Sequence, residues 1–156
     1  MKDLISAQYT FVKEARGLLL GYCGSLSEND FISENSSFGR GSIRNMLVHI
    51  CNTYEYWIGR HLLSLQNDFT VLESASTIAQ VKEAFLNVDF MINEFLLTFD
   101  NRFTDYIQIR RKDLDMKTTP FKIFSHVITH EFHHKGQILS LSRHMGYTPV
   151  DTDIIR

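Results

Sequence analysis

Cysteine and proline are nearly missing from this sequence, with two of each in 156 residues. Cys23 and Cys51 lie in separate apolar segments with no CxxC spacing, which excludes a disulfide-stapled scaffold and a cysteine-based metal module. Both read as small buried thiols. With so few prolines and only eight glycines, the backbone is free to run in long helices, and an all-β fold is disfavoured. Long apolar runs are missing too: no segment approaches the roughly 18 uncharged apolar residues that a membrane span needs. Lys2, Asp3, Lys13, Glu14 and Arg16 also break up any signal-peptide core, so a cytoplasmic location is expected. Neither sign of charge dominates. Sixteen Lys and Arg against 18 Asp and Glu give a formal charge of -2, which supplies no general attraction to phosphate backbones or anionic membranes. The one basic run, Arg110-Arg111-Lys112, is balanced by Asp113 and Asp115 and reads as a solvated loop. Neither nucleic acid nor membrane is expected as a partner.

What the chain has is apolar bulk at helical spacing. A composition of 44% hydrophobic and 22% charged residues, with 12 Phe, six Tyr and a single Trp, suits one globular domain spanning residues 1–156. In the first segment Leu4, Ala7, Phe11, Ala15, Leu18 and Tyr22 recur at three and four, predicting a helix with one buried stripe that stops at Gly24. A polar stretch from Ser25 to Ser42 reads as a loop. Ser42 is a favourable N-cap for a second helix whose face carries Met46, Ile50, Tyr54, Trp57 and Leu62 and which fades near Gln66.

Thr77 and Gln80 form a capping box ahead of Ile78, Val81, Phe85, Val88, Ile92, Phe95 and Phe99, the third helix. The fourth opens at Thr119-Pro120 and closes at Gly146 with Pro149 beyond. Between the last two, Arg102 to Lys117 contains Tyr106, Ile107 and Ile109, a short strand or an ordered loop. The predicted fold is all-α, a four-helix bundle, whose core is a usual place for metal sites built from facing helices.

Four of the seven histidines, His126, His130, His133 and His134, crowd into nine residues of the fourth helix. Ile123, Phe124, Val127, Ile138, Leu141 and Met145 define its inward direction at ~100° per residue. His134 lies close to that direction and His130 on its near flank one turn away, while His126 and His133 fall toward the opposite side. Side chains four apart on a helix sit about 5–6 Å apart at Cβ, close enough for two imidazoles to converge on one ion. Burying two such imidazoles without a common purpose is costly, which favours metal over a pair of core histidines. His49, beside the stripe of the second helix, can be presented to the same point by a neighbouring helix. Three nitrogen ligands leave at least one coordination position open, as in catalytic rather than structural zinc sites. His61, His126, His133 and His144 read as surface or supporting residues.

His130-Glu131-Phe132-His133-His134 fits the H-E-x-x-H pattern, in which two His bind zinc and the Glu is a general base. The longer metzincin form would require Gly at position 137 and His at position 140, where the chain has Gln137 and Ser140, so a protease is the weaker reading. A second resemblance covers nearly the whole chain. It rests on four helices in about 150 residues and on Asn45-Met46-Leu47-Val48-His49-Ile50 with Trp57 following. It rests also on His130 through Ile138 and on Leu141-Ser142-Arg143-His144-Met145-Gly146-Tyr147-Thr148-Pro149 with Asp151. In these segments the sequence resembles the DinB/YfiT-like family.

That resemblance implies a four-helix bundle, commonly a homodimer, with a divalent metal held by His49, His130 and His134, Zn or Ni being the expected ions. It further implies a metal-dependent transferase that activates a low-molecular-weight thiol, such as mycothiol or bacillithiol, toward a small-molecule substrate. A metal-dependent hydrolase of a small ester or amide and a non-catalytic ligand- or partner-binding bundle are the alternatives. Glu131 is either a proton-transfer group at the metal or a contact between helices, and both roles stay open at this stage.

Overall fold

The computed structural model describes residues 1–66 and 68–156. Its first helix, α1 (Lys2–Cys23), forms as the spacing predicts but turns a different face inward. The buried positions are Ile5, Tyr9, Val12, Ala15, Arg16, Leu19, Leu20, Tyr22 and Cys23, which keep Ala15 and Tyr22 of the predicted stripe, whereas Leu4, Phe11 and Leu18 are 76%, 45% and 38% exposed. The helix carries two apolar stripes about one residue apart, and the inner one was disguised by Arg16. A charged residue at a core position reads as surface unless its partner on another helix is known.

The polar stretch from Ser25 to Ser42 is not wholly loop. It holds a short helix, α2 (Glu28–Ile32), started by Ser27, whose side chain accepts from the Asp30 backbone N–H, and it buries Phe31. Ser42 then caps α3 (Ile43–Tyr54) by accepting from the Asn45 N–H. Beyond Tyr54 the helix does not fade but widens into a π-helical segment, Glu55–Leu62, with the Leu63 N–H reaching the Ile58 carbonyl five residues back. Widening of this kind recurs at functional sites because it rotates the following side chains out of α-helical register. Gly59 lets the segment approach the helix that carries Met91, since a Cβ there would lie 3.0 Å from the Met91 sulfur.

The Thr77–Gln80 capping box starts α4 (Ile78–Thr98) with both reciprocal hydrogen bonds present. The predicted stripe from Val81 to Phe99 is buried. Thr119 caps α5 (Pro120–His144), with Pro120 at its first turn. The far end closes as a Schellman turn: Tyr147 N–H donates to the Ser142 carbonyl and Gly146 N–H to the Arg143 carbonyl. Gly146 takes the left-handed φ of +94° that this turn requires.

The segment before α5 is an antiparallel hairpin, β1 (Ile107–Arg111) and β2 (Leu114–Thr118), in the register Ile107↔Thr118, Ile109↔Met116 and Arg111↔Leu114. Arg110 and Arg111 therefore belong to a strand, and Lys112 sits in the turn at φ +53°. The basic run is solvent-exposed as expected, but it is held by strand pairing rather than left as a loop.

The long helices α1, α3, α4 and α5 pack on one another as a bundle. Near its centre Phe95 stacks on Phe124 at 5.9 Å between ring centroids and meets Phe103 edge-on at 5.5 Å. Cys23 and Cys51 are free and buried, as the sequence suggests. Among the described residues no helix is long and apolar enough to cross a membrane.

Candidate metal centre

Three imidazoles meet where α3 faces α5. His49 comes from the middle of α3, and His130 and His134 come from successive turns of α5. Ring centroids lie 4.9 Å apart for His49 and His130, 4.8 Å for His49 and His134, and 4.4 Å for His130 and His134. One nitrogen from each falls within 4.8 Å of the others, a group that could hold a metal ion. The Nε2 atoms of His130 and His134 are 3.3 Å apart. Zn–N bonds of about 2.0–2.1 Å at a tetrahedral angle place two ligand nitrogens about 3.3–3.4 Å apart, so one edge of the site already has metal-binding spacing.

Tautomer and protonation state also fit a cation. His134 Nδ1 donates to Gln137 Oε1 at 2.6 Å, which leaves the lone pair on Nε2, the atom turned toward His130. Arg40 Nη2 donates to His49 Nε2 at 3.1 Å, so that nitrogen also carries a lone pair, one that the guanidinium occupies and would give up to an ion. Burial, then Arg40 and the other two histidines, lowers the His49 pKa to about 4. Burial, with His134 and His126 beside it, does the same to His130. His134 is lowered by burial against the opposing Gln137 bond. All three are neutral at physiological pH, the form a metal needs.

A cavity of about 620 Å³ borders the group, with His49 and His130 in its wall. The π-helical segment supplies Tyr56 and Trp57, and the hairpin supplies Arg111 and Lys112. Asn52, one turn beyond His49, also lines it and has an Oδ1 without a hydrogen-bond partner among the described residues. The composition of this wall was not legible in advance. Periodicity puts Trp57 in a core stripe and the basic run in a loop, and Arg40 carries no signal in the sequence.

Glu131 is fully buried and faces away from this cavity into the bundle. Its Oε1 accepts from Arg16 Nε and its Oε2 from Arg16 Nη2, each at 2.9 Å, and Oε2 also accepts from the Tyr54 hydroxyl at 2.7 Å. The same guanidinium reaches Asp89 through Nη1 at 2.7 Å, and Tyr9 donates to Asp89 at 2.7 Å. One carboxylate thus ties α5 to α1 and α3 through a paired, hydrogen-bonded charge. Next to it Lys135 is 1% exposed, with its Nζ 3.2 Å from the Phe132 ring centroid and its pKa lowered by burial to about 8.

The other histidines divide as the helix geometry suggested, with one exception. His133 and His144 are exposed, and His61 packs edge-on to Tyr56 at 4.6 Å. His126, exposed but in the cavity wall, meets the Trp57 ring edge-on at 5.3 Å.

Fold and site together define a class: a helical bundle with a three-histidine group able to hold a divalent ion at the edge of an open cavity. The DinB family model matches residues 1–156, the whole chain, and the protein belongs to the DinB family. A search of curated proteins finds no match to it.

Proposed function

We propose that this DinB-family protein is a metal-dependent transferase in which His49, His130 and His134 hold a Zn or Ni ion that activates a low-molecular-weight thiol toward a small electrophile. The carrying observation is that three neutral imidazoles converge at the wall of a cavity of about 620 Å³, where an ion would face a chamber large enough for small molecules. A divalent ion there supplies a Lewis acid that stabilises the thiolate over the thiol. The chain's own groups do the rest. Gln137 fixes the His134 tautomer, and Tyr56 and Trp57 wall the chamber on which the acceptor rests.

Glu131 serves as the interhelical contact rather than the proton carrier. Both its oxygens are engaged by Arg16 and Tyr54, and it is not part of the cavity wall. Two copies form a homodimer across α1 and α4. In support, Leu4, Phe11 and Leu18 recur every seven residues on α1, Phe90 and Leu97 do so on α4, and Leu86 extends that row by one turn. All six are exposed on helices that touch each other, an apolar face that water leaves costly. A cytoplasmic location, where small thiols are kept reduced, suits this chemistry.

Metal analysis of tag-free protein should give about one Zn or Ni per chain, and a His49→Ala/His130→Ala/His134→Ala variant should lose it. The loaded protein is then offered a panel of thiols with a chloro-nitroaromatic or epoxide acceptor. Thiol-dependent loss of the acceptor supports the transferase. Thiol-independent cleavage of a small ester or amide instead makes the protein a hydrolase, and ligand binding without turnover makes it a binding bundle.

A further inference from the structure

The cavity beside the histidines has a charge pattern that an adjacent cation does not call for. Arg40, Arg111 and Lys112 all line it, and no acidic residue does among those described. Glu55, the acidic residue next to Tyr56 on the π-helical segment, has its oxygens turned to Thr70, one to the backbone N–H at 2.9 Å and one to the hydroxyl. Three cations facing one concave space repel one another, and low-dielectric walls concentrate their field inside it. A divalent ion at the histidines adds to that positive potential.

The remaining wall is aromatic. Tyr56, Trp57 and Phe69 line the same space, and the Arg111 guanidinium stands 5.7 Å from the Trp57 ring centroid. Arg111 and Lys112 are carried to this wall by the β1–β2 hairpin, Arg111 in strand pairing with Leu114 and Lys112 in the turn beside it, while Arg40 stands at His49. The cavity wall thus combines basic groups, flat aromatic sides and two of the three histidines.

We propose that this cavity selects a small carboxylate, with Arg111 and Lys112 binding the anion and Tyr56, Trp57 and Phe69 packing against a planar apolar body. The assignment rests on reading the cavity as the chamber for the small electrophile. A planar guanidinium matches a carboxylate with two parallel hydrogen bonds, and Lys112 adds a point charge beside it. The aromatic side chains supply apolar area and prefer offset or edge-on contact with a flat ring.

Trp57 is the chain's only tryptophan, so its fluorescence reports this cavity directly. The probes are 4-nitrobenzoate and the uncharged 4-nitrobenzamide, titrated into metal-free and metal-loaded protein by calorimetry and by Trp57 quenching. The carboxylate should bind at least tenfold tighter than the amide in the metal-free protein already, with the advantage shrinking as salt rises. An Arg111→Gln/Lys112→Gln variant, altered only at exposed hairpin positions, should keep its far-UV circular dichroism and lose that preference. Equal affinities, a preference that survives the double substitution, or no binding of either probe at millimolar concentration would each overturn the proposal. Metal content measured on the same samples separates the two readings: protein that takes up no ion yet prefers the carboxylate keeps the anion site and loses the metal reading, and protein that binds an ion without the preference does the reverse.

Discussion

Replacing Glu131 by Gln removes one negative charge from the middle of the bundle while keeping nearly the same volume. The native carboxylate is 0% exposed and accepts three hydrogen bonds, two from Arg16 and one from Tyr54. A Gln amide accepts at one end but donates at the other, so in either orientation its N–H faces a guanidinium N–H, and in one of them the Tyr54 hydroxyl as well. Arg16, only 3% exposed, keeps a single carboxylate partner, Asp89, whose side chain is 19% exposed. Breaking a buried ion pair on one side costs about 3–5 kcal/mol, and the retained acceptor places this case near the lower end.

Against a total stability of about 5–15 kcal/mol that is a large fraction. With a urea m-value of about 2 kcal/mol/M the midpoint should fall by about 1.5 M without a change in slope. In an Arg16→Met background the same substitution should cost at least about 1 kcal/mol less, because the cation that needed Glu131 is gone. Midpoints are read from Trp57 fluorescence and circular dichroism together. A Glu131→Gln protein within about 1 kcal/mol of the wild type, with metal-dependent turnover down a hundredfold or more, would refute this account and make Glu131 a proton carrier.

Acid should destabilise the metal-free protein through its histidines. His49 and His130 titrate near 4 when folded against an ordinary 6.5, so between those values the unfolded chain binds more protons. Their contribution is complete above about pH 6.5 and is lost as pH falls toward 4. A urea midpoint that stays flat across that window in the wild type, or one that falls as steeply in a His49→Leu/His130→Leu variant, would contradict it. Both thiols should be inert in the native state, since burial lifts Cys23 to about 12 and raises Cys51 as well; a chromogenic disulfide reagent at pH 8 should label neither until denaturant is added. For the dimer, sedimentation should show two-chain particles for the wild type and single chains for a Leu4→Glu/Phe90→Glu variant of unchanged helicity. Wild-type protein that sediments as one chain would leave the α1–α4 face without its second copy.

Sequence by itself determined the elements whose information is local. The Thr77–Gln80 box, the Thr119-Pro120 start and the Gly146 stop are written within a few residues, because caps satisfy backbone groups of the same turn. The His130–His134 pair was legible for the same reason, since four residues along one helix fix the separation of two side chains. His49 needed the family resemblance to join them, because nothing within α3 says which helix it faces. Tertiary structure alone decided three other matters. It chose which of two apolar stripes on α1 turns inward, because Arg16 is a core residue only once Glu131 of α5 is opposite it. It turned Glu131 from the metal side of its motif into the bundle, because a carboxylate goes where buried donors meet it. And it brought the hairpin's Arg111 and Lys112 to the cavity holding Trp57 and His126, a long-range juxtaposition that composition and periodicity do not encode.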